Sequence, residues 1–253
     1  MLRLWPKHFV VGLFQGHCWI RTANTVEIIE TAPESEHPDW VRVAFEHALK
    51  RILELQGTYS RINVVLASGL ATATLLPWQN RHLSEAEAQL YAQAWFNRAG
   101  AGLDGGWTID AGFRFFGAEG FAAAVPTNLL EGLITTAREF KMSLQSVAPV
   151  SAFAYWRYSA STRAQRSILF LSEPDRISLM CCEKGRATAF DSQPLSGDSE
   201  VALRRLLQRQ SHVTADQIWA WSSATHMALP AQLAKLLPDT KLRLLDTATW
   251  RPQ

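Results

Sequence analysis

The stretch Ile62–Leu66, INVVL, is rich in β-branched residues and nearly free of polar ones, the pattern of a strand buried on both faces. Apolar runs at His8–Phe14 and Cys18–Ile20, separated by Gln15 and Gly16, predict two earlier strands joined by a tight turn. TVEIIETA supplies a third strand. The period then changes. Asp39 is placed to cap a helix to about Leu55, in which Val43, Leu49, Ile52, Leu53 and Leu55 recur near a helical spacing and Gly57 marks the stop. INVVLASG follows as the fourth strand, and its small residues Ala67, Ser68, Gly69 and Ala71 are of the kind that line a ligand loop.

After Trp78, Ser84 followed by Glu87 forms a capping box that opens a helix through about Arg98, ended by AGAGLDGG. WTIDAGF and EGFAAAVP read as a strand pair. Thr127 is placed to cap a helix to about Lys141, LQSVAPV makes a short strand, and SAFAYWRYSA an aromatic helix. Ser159–Gln165 is polar and reads as a hinge. The pattern then restarts. RSILFLSEP, RISLMCCEKG and RATAFDSQPL predict a three-stranded meander, with turns at Pro174–Asp175 and Lys184–Gly185. The helix SEVALRRLLQRQ, the strand QIWAWSS, a helix opening near Pro230 and the strand KLRLLD complete the chain.

Both halves thus run strand, strand, strand, helix, strand, helix, strand, and the first carries extra elements after Trp78. The repetition lies in element order, with no visible sequence identity between the halves. It predicts an α/β protein of two lobes, 1–158 and 159–253, with an insertion at about 79–126.

Composition narrows the function classes. A net charge of +2 over 253 residues, with 19% charged, lacks the basic excess of a nucleic-acid-binding module. The apolar runs are strand-length, and the N-terminal MLRLWPKHFVVGLFQGHCW is broken by Pro6, Gly12 and Gln15 with no small-x-small cleavage site, so it reads as a strand and not a signal peptide. Three cysteines, Cys18, Cys181 and Cys182, have no framework spacing and suit a reducing compartment. Adjacent Cys181 and Cys182 point to opposite faces of a strand and so suit packing, not one metal. The seven histidines show no zinc spacing. ASGLA places Ser68 at a strand end but lacks the first Gly and the helix of a nucleophile elbow. Arg204, Arg205 and Arg209 read as the solvated face of a helix.

A duplicated unit of three strands followed by αβαβ resembles the actin-like ATPase superfamily, a duplicated ribonuclease H-like fold. VVLASGLATATLLPWQNRHLSEAEAQLYAQAWF and SVAPVSAFAYWRY resemble the cytoplasmic actin-like proteins of type IV pilus and type II secretion machines, the PilM and GspL cytoplasmic-domain type. That resemblance implies a two-lobed body at the cytoplasmic face of the inner membrane, gripping a short segment of a single-pass partner. Because no membrane helix precedes Gln253, it implies peripheral attachment through that partner. Homo-oligomers are compatible with it.

A working actin-like ATPase needs two hairpins whose turns present N–H groups to phosphate, with carboxylates to hold hydrated Mg²⁺. The first hairpin, VVGLFQGHCW, offers Gly12 and Gly16 but no carboxylate before Glu27. The second, LFLSEPDRISLMCC, offers Glu173 and Asp175, yet Pro174 removes a donor and Gly is absent. Where the superfamily has a Gly-rich adenosine loop this chain has WAWSSATHMALPAQ, with Ser222, Ser223 and Thr225. Gly12, Gly16, Ser68, Gly69, Glu173 and Asp175 are therefore candidates for a vestigial nucleotide site. The preferred expectation is a non-catalytic scaffold with no cofactor, binding its partner through the aromatic insertion: Trp95, Phe96, Trp107, Phe113, Phe115 and Phe116. The alternative is an active ATPase or small-molecule kinase using Glu173 or Asp175 with ATP and Mg²⁺.

Overall fold

The computed structural model describes residues 7–245 apart from 23–24, 32–38, 57–58, 100–102, 104, 159–165, 196–198, 211–214, 224–227 and 238–240. The expected hinge at Ser159–Gln165, and with it the expected lobe boundary, lies outside the described residues, as does Gly57.

In the first lobe β1 (His8–Phe14), β2 (His17–Arg21) and β3 (Val26–Glu30) form an antiparallel meander, followed by α1 (Trp40–Gln56) and β4 (Arg61–Leu66). After an inserted segment come α3 (Thr127–Glu139), β8 (Ser143–Pro149) and α4 (Val150–Tyr158). β4 and β8 run parallel to β1, giving a five-stranded sheet of order β3-β2-β1-β4-β8. The second lobe repeats the plan. β9 (Arg166–Ser172), β10 (Arg176–Glu183) and β11 (Arg186–Pro194) form the meander, then α5 (Ser199–Arg209), β12 (Gln217–Ser222), α6 (Ala228–Leu236) and β13 (Lys241–Leu244). Its sheet has the corresponding order β11-β10-β9-β12-β13.

The inserted segment holds β5 (Thr72–Leu76), α2 (Glu85–Arg98), β6 (Trp107–Gly112) and β7 (Gly120–Pro126), its strands forming a separate antiparallel sheet of order β5-β7-β6. The strand β5 was not anticipated. Its sequence, TATLL, has no residue fully buried before Leu76, so it lacks the strong apolar alternation that marks the other strands. Helix α2 opens as expected: Ser84 N–H donates to Glu87 Oε2 at 2.9 Å, and the Glu87 N–H points back at Ser84 Oγ at 3.4 Å. Helix α3 does not. Its N-cap is Pro126, with no side-chain capping bond, and Thr127 is the first helical residue, its hydroxyl 3.1 Å from that of Thr108. At α1 the Asp39 carbonyl accepts from Val43 N–H at 3.1 Å, as a capping residue's does, while its carboxylate pairs with Arg42 at 3.6 Å.

Strand alternation sorts the core into layers. Phe9, Val11 and Leu13 of β1 and Ile62, Val64 and Leu66 of β4 face α1 and α3, meeting Phe45, Leu49, Ile52 and Leu133. Ile168 and Phe170 of β9, with Ile177, Leu179 and Cys181 of β10, face Leu203, Leu206 and Leu233 in the second lobe. The opposite faces turn toward each other. Val10, Phe14, Trp19 and Val65 of the first lobe pack in one cluster with Leu169, Leu171, Met180, Cys182, Trp219 and Trp221 of the second. Cys181 and Cys182 thus lie in different layers, both buried. Burial pushes each of these thiols up to about 12, and does the same to Cys18, so they stay protonated and act as small apolar groups.

Gly12 sits on the face of β1 turned to the other lobe, where its missing side chain makes room for Trp19: a Cβ there would lie 2.1 Å from the indole. The fold therefore predicts that Gly12→Ala, which forces that buried ring aside, lowers stability by about 1–3 kcal/mol in urea denaturation. An unchanged urea midpoint would contradict this packing.

Candidate functional site

The two lobes can be superposed by their hydrogen bonding. In the first, Leu13 of β1 pairs with Leu66 of β4 and its carbonyl accepts from Ala67 N–H at 2.9 Å. In the second, Ser172 of β9 pairs with Ser222 of β12 and its carbonyl accepts from Ser223 N–H at 3.0 Å. This correspondence places Phe14 of the β1–β2 hairpin against Glu173 of the β9–β10 hairpin, and the turn Gln15–Gly16 against Pro174–Asp175. Gly16 has φ +78°, a conformation that favours glycine in such a tight turn.

Each hairpin reaches the end of the strand next to the central one in the other lobe, β4 or β12. The Glu173 Oε2 accepts from Ser68 N–H at 2.6 Å, where β4 gives way to a single 3₁₀ turn, Ser68–Leu70. A Cβ on Gly69 would fall 2.5 Å from Asp175 Oδ2, so the smallness of Gly69 lets the hairpin settle on this turn. On the other side His17 Nε2 lies 3.3 Å from the Ser223 carbonyl oxygen, within hydrogen-bond reach. Between the two clasps Phe14 stacks on His17 at 5.5 Å and packs against Trp19 and Trp221 at 6.2 and 5.9 Å between ring centroids.

Of the six residues singled out for a vestigial nucleotide site, Ser68, Gly69, Glu173 and Asp175 meet at one clasp. Gly12 and Gly16 belong to the other hairpin, where Gly12 is covered by Trp19 and the Gly16 carbonyl accepts from Thr31 N–H at 3.0 Å. Glu173 is 1% exposed. Burial, with the neighbouring Asp175 charge adding to it, raises its carboxyl to about 7, against the opposing pull of the nearby Ser68 hydroxyl, the Ser68 N–H hydrogen bond and Arg176. Its Oε1, Asp175 Oδ1 and the Ser68 and Ser223 hydroxyls are buried atoms without a hydrogen-bond partner. Among the described residues no three His, Cys, Asp or Glu side chains gather to hold a metal ion. A phosphate approaching Ser68 N–H would have to displace a buried carboxylate, and Pro174 offers no donor in its place. Thr225 lies outside the described residues.

The insertion's aromatics are mostly internal. Phe96 is 2% exposed and packs with Leu76, Ala92 and Leu103, so it is core and presents no surface. Trp95 and Trp107 are half-buried against that cluster, and so is Phe113, which also meets Trp78 edge-on at 5.4 Å. Phe115 is half-buried, its ring beneath the guanidinium groups of Arg114 and Arg186 at 5.3 and 5.9 Å. Of the six, Phe116 alone is largely exposed, at 83%, beside Trp78. A feature unforeseen in the sequence is a cleft of about 100 Å³ where the insertion meets β8. It is lined by Val125, Leu130, Val147, Ala148, Ala152 and Trp156, among others, and Trp156 is 45% exposed. Its lining comes from five separate elements, β6, β7, α3, β8 and α4, which no local pattern connects.

A family model described as haemolysin secretion/activation protein ShlB/FhaC/HecB matches residues 58–227, more than half of the chain. The chain belongs to that family. The span shared with the family begins just ahead of β4 and ends just beyond β12, so it contains the insertion and the Ser68–Glu173 clasp, and of the other clasp only Ser223. No curated protein matches the chain. Solved structures show the fold, the duplicated ribonuclease H-like fold of actin-like ATPases. One is a PilM–PilN type IV pilus biogenesis complex, at 12% identity over 95% of this chain and 88% of the other, TM-score 0.71. A protein of Bacteroides thetaiotaomicron with an actin-like ATPase fold has 13% identity over 96% and 91%, TM-score 0.61. The cytoplasmic domain of EpsL, an inner-membrane component of the Vibrio cholerae type II secretion system, has 11% identity over 97% and 88%, TM-score 0.53. Among the described residues no helix is long and apolar enough to cross a membrane.

The interlobe packing predicts that Trp221→Ala, which empties a fully buried site, costs about 3–5 kcal/mol in chemical denaturation. Phe96→Ala should cost a similar amount, whereas Phe116→Ser should leave the midpoint within about 0.5 kcal/mol of wild type. Equal effects of the last two substitutions would contradict the division of the insertion into core and surface.

Proposed function

We propose that this protein is a non-catalytic actin-like scaffold at the cytoplasmic face of the inner membrane. In this reading it binds the cytoplasmic segment of a single-pass component of a type IV pilus or type II secretion-like machine. The observation that carries the reading is the packing of Phe14, Trp19 and Trp221 between the lobes, where a nucleotide-binding actin-like protein needs an open cleft. The hairpin chemistry supports it as well: one turn is tied back through Gly16, and the other spends its carboxylate on Ser68 N–H. The family's described role in haemolysin secretion, and the pilus and type II secretion assemblies among the similar folds, make an export or surface-fibre machine the natural setting.

The cleft between the insertion and β8 is the better seat for the partner than the patch around Phe116. It joins an apolar lining to a half-exposed tryptophan, and β8 is an edge strand of its sheet, whose backbone is placed to pair with an extended segment. Phe116 offers one exposed ring beside Trp78, with no apolar cleft lined around it among the described residues.

Two outcomes are expected. Titration calorimetry with Mg-ATP to millimolar concentration should give no saturable heat; saturable micromolar binding would favour the alternative of an ATPase or small-molecule kinase. In co-purification from mildly solubilised native membranes, single-pass inner-membrane proteins of a pilus or secretion apparatus should accompany the wild type and the Phe116→Ser variant, and be depleted at least about tenfold with Trp156→Ala. The reverse pattern would move the partner site to the Trp78–Phe116 patch.

A further inference from the structure

We infer that Glu173 is a proton-controlled clasp between the lobes, holding the β9–β10 hairpin on the Ser68–Leu70 turn while its carboxyl is protonated and loosening it when the proton is lost. The inference stands whether or not the scaffold reading does, because it concerns the joint and not the partner. The joint spans the lobes: Ser68 follows β4 and Glu173 follows β9, 105 residues apart, yet the N–H to carboxyl distance is 2.6 Å. One carboxyl oxygen is used there, and the other, Oε1, is buried without a partner. A charged carboxylate in this position has one oxygen shut away from water and in no well-formed hydrogen bond, with only the nearby Ser68 hydroxyl to ease it, which is costly. Protonation removes the charge and leaves the other oxygen free to keep accepting from Ser68.

The surroundings point the same way. Burial is the main force against ionisation and Asp175, on the same hairpin, adds a second negative charge to it, whereas the Ser68 hydroxyl and N–H, and more weakly Arg176, favour the charged form. The opposing turn, Ala67–Leu70, carries no titratable side chain. His17, on the β1–β2 hairpin at the other clasp, is a further titratable group of the lobe junction.

The direction follows from proton linkage. Closed, Glu173 keeps its proton up to about pH 7, instead of the ordinary 4.5. Released into water, it regains the ordinary value. Between these limits the closed state binds more protons than the open one, so closure is strongest at the acid end and weakens as pH rises toward 7. Above that, both states are charged and the dependence flattens.

Hydrogen exchange of the Ser68 amide in the full chain, expressed as a protection factor so that intrinsic pH effects cancel, reads the clasp directly. Wild-type protection should fall by up to about tenfold per pH unit between pH 5 and 7, then level off. Glu173→Gln, neutral at every pH, should abolish the step, and His17→Gln should leave it in place. Asp175→Asn, which removes the like charge, should move the step to lower pH, and it decides the matter if Glu173→Gln does not fold. Flat wild-type protection from pH 5 to 8, an unaltered step in Glu173→Gln, loss of the step in His17→Gln, or an unmoved midpoint in Asp175→Asn would each overturn the clasp.

Discussion

The structure depends on one constraint: two sheets whose helices cover only one face each. Helices α1 and α3 shield one side of the first sheet, and α5 and α6 one side of the second. The remaining faces are as apolar as the covered ones, with Val10, Phe14, Trp19 and Val65 opposite Leu169, Leu171, Met180 and Trp221. At about 25 cal/mol per Å² of buried apolar area, leaving such faces in water is untenable for a domain whose whole stability is of order ten kcal/mol. The lobes therefore bury them on each other. The insertion and α4 close over the same seam, contributing Phe121, Ala152 and Tyr155 to one continuous cluster, and Phe121 reaches Phe190 of β11 across it at 5.6 Å between ring centroids.

The duplicated plan shows how that seam was specialised. Equivalent hairpin positions hold Phe14 in one lobe and Glu173 in the other, an aromatic ring and a carboxyl. The ring serves the seam by filling it, together with Trp19 and Trp221. The carboxyl serves it by direction, meeting a single backbone donor at the start of a short turn. These contributions differ in kind: packing resists opening at any pH, while a buried carboxyl resists it according to its protonation. Gly12 and Gly69, both singled out as possible phosphate-loop glycines, have the same physical role at the two sites. Each lacks a side chain where a group from elsewhere must lie close, Trp19 in one case and Asp175 in the other.

Much of this architecture was legible because it is written in local periods. The central strands carry runs such as INVVL and SILFL, the capping box of α2 is contiguous, and the repeated element order led to the duplicated actin-like fold that the solved structures share. What escaped was set by partners distant in sequence. β5 is a strand because β7 pairs with it, not because TATLL insists on it. Thr127 has good capping chemistry, but β7 runs straight into α3 and leaves Pro126 at the boundary. The meeting of Ser68 and Gly69 with Glu173 and Asp175 was visible only as two separate degraded motifs. No motif foreshadowed the haemolysin-secretion family, and the cleft beside Trp156 arises from elements brought together by the fold.

A seam of this kind bears on where function can reside. In an enzyme that works between lobes, the cleft must open to admit substrate and close to exclude water, so its walls cannot be each other's main source of burial. Here the walls are the core: opening them by a ligand's width would expose Trp19, Trp221 and Phe14 together, each worth roughly 1.5–3 kcal/mol or more of burial. Ligand binding would have to supply that energy before it supplied any affinity. Recognition at the rim carries no such cost. The edge strand β8, the cleft beneath Trp156 and the exposed Phe116 can engage a partner with the seam shut. The insertion that bears the cleft and Phe116 packs on both lobes, β7 meeting β8 of the first and β5 meeting β11 of the second, so these surfaces rest on the closed seam.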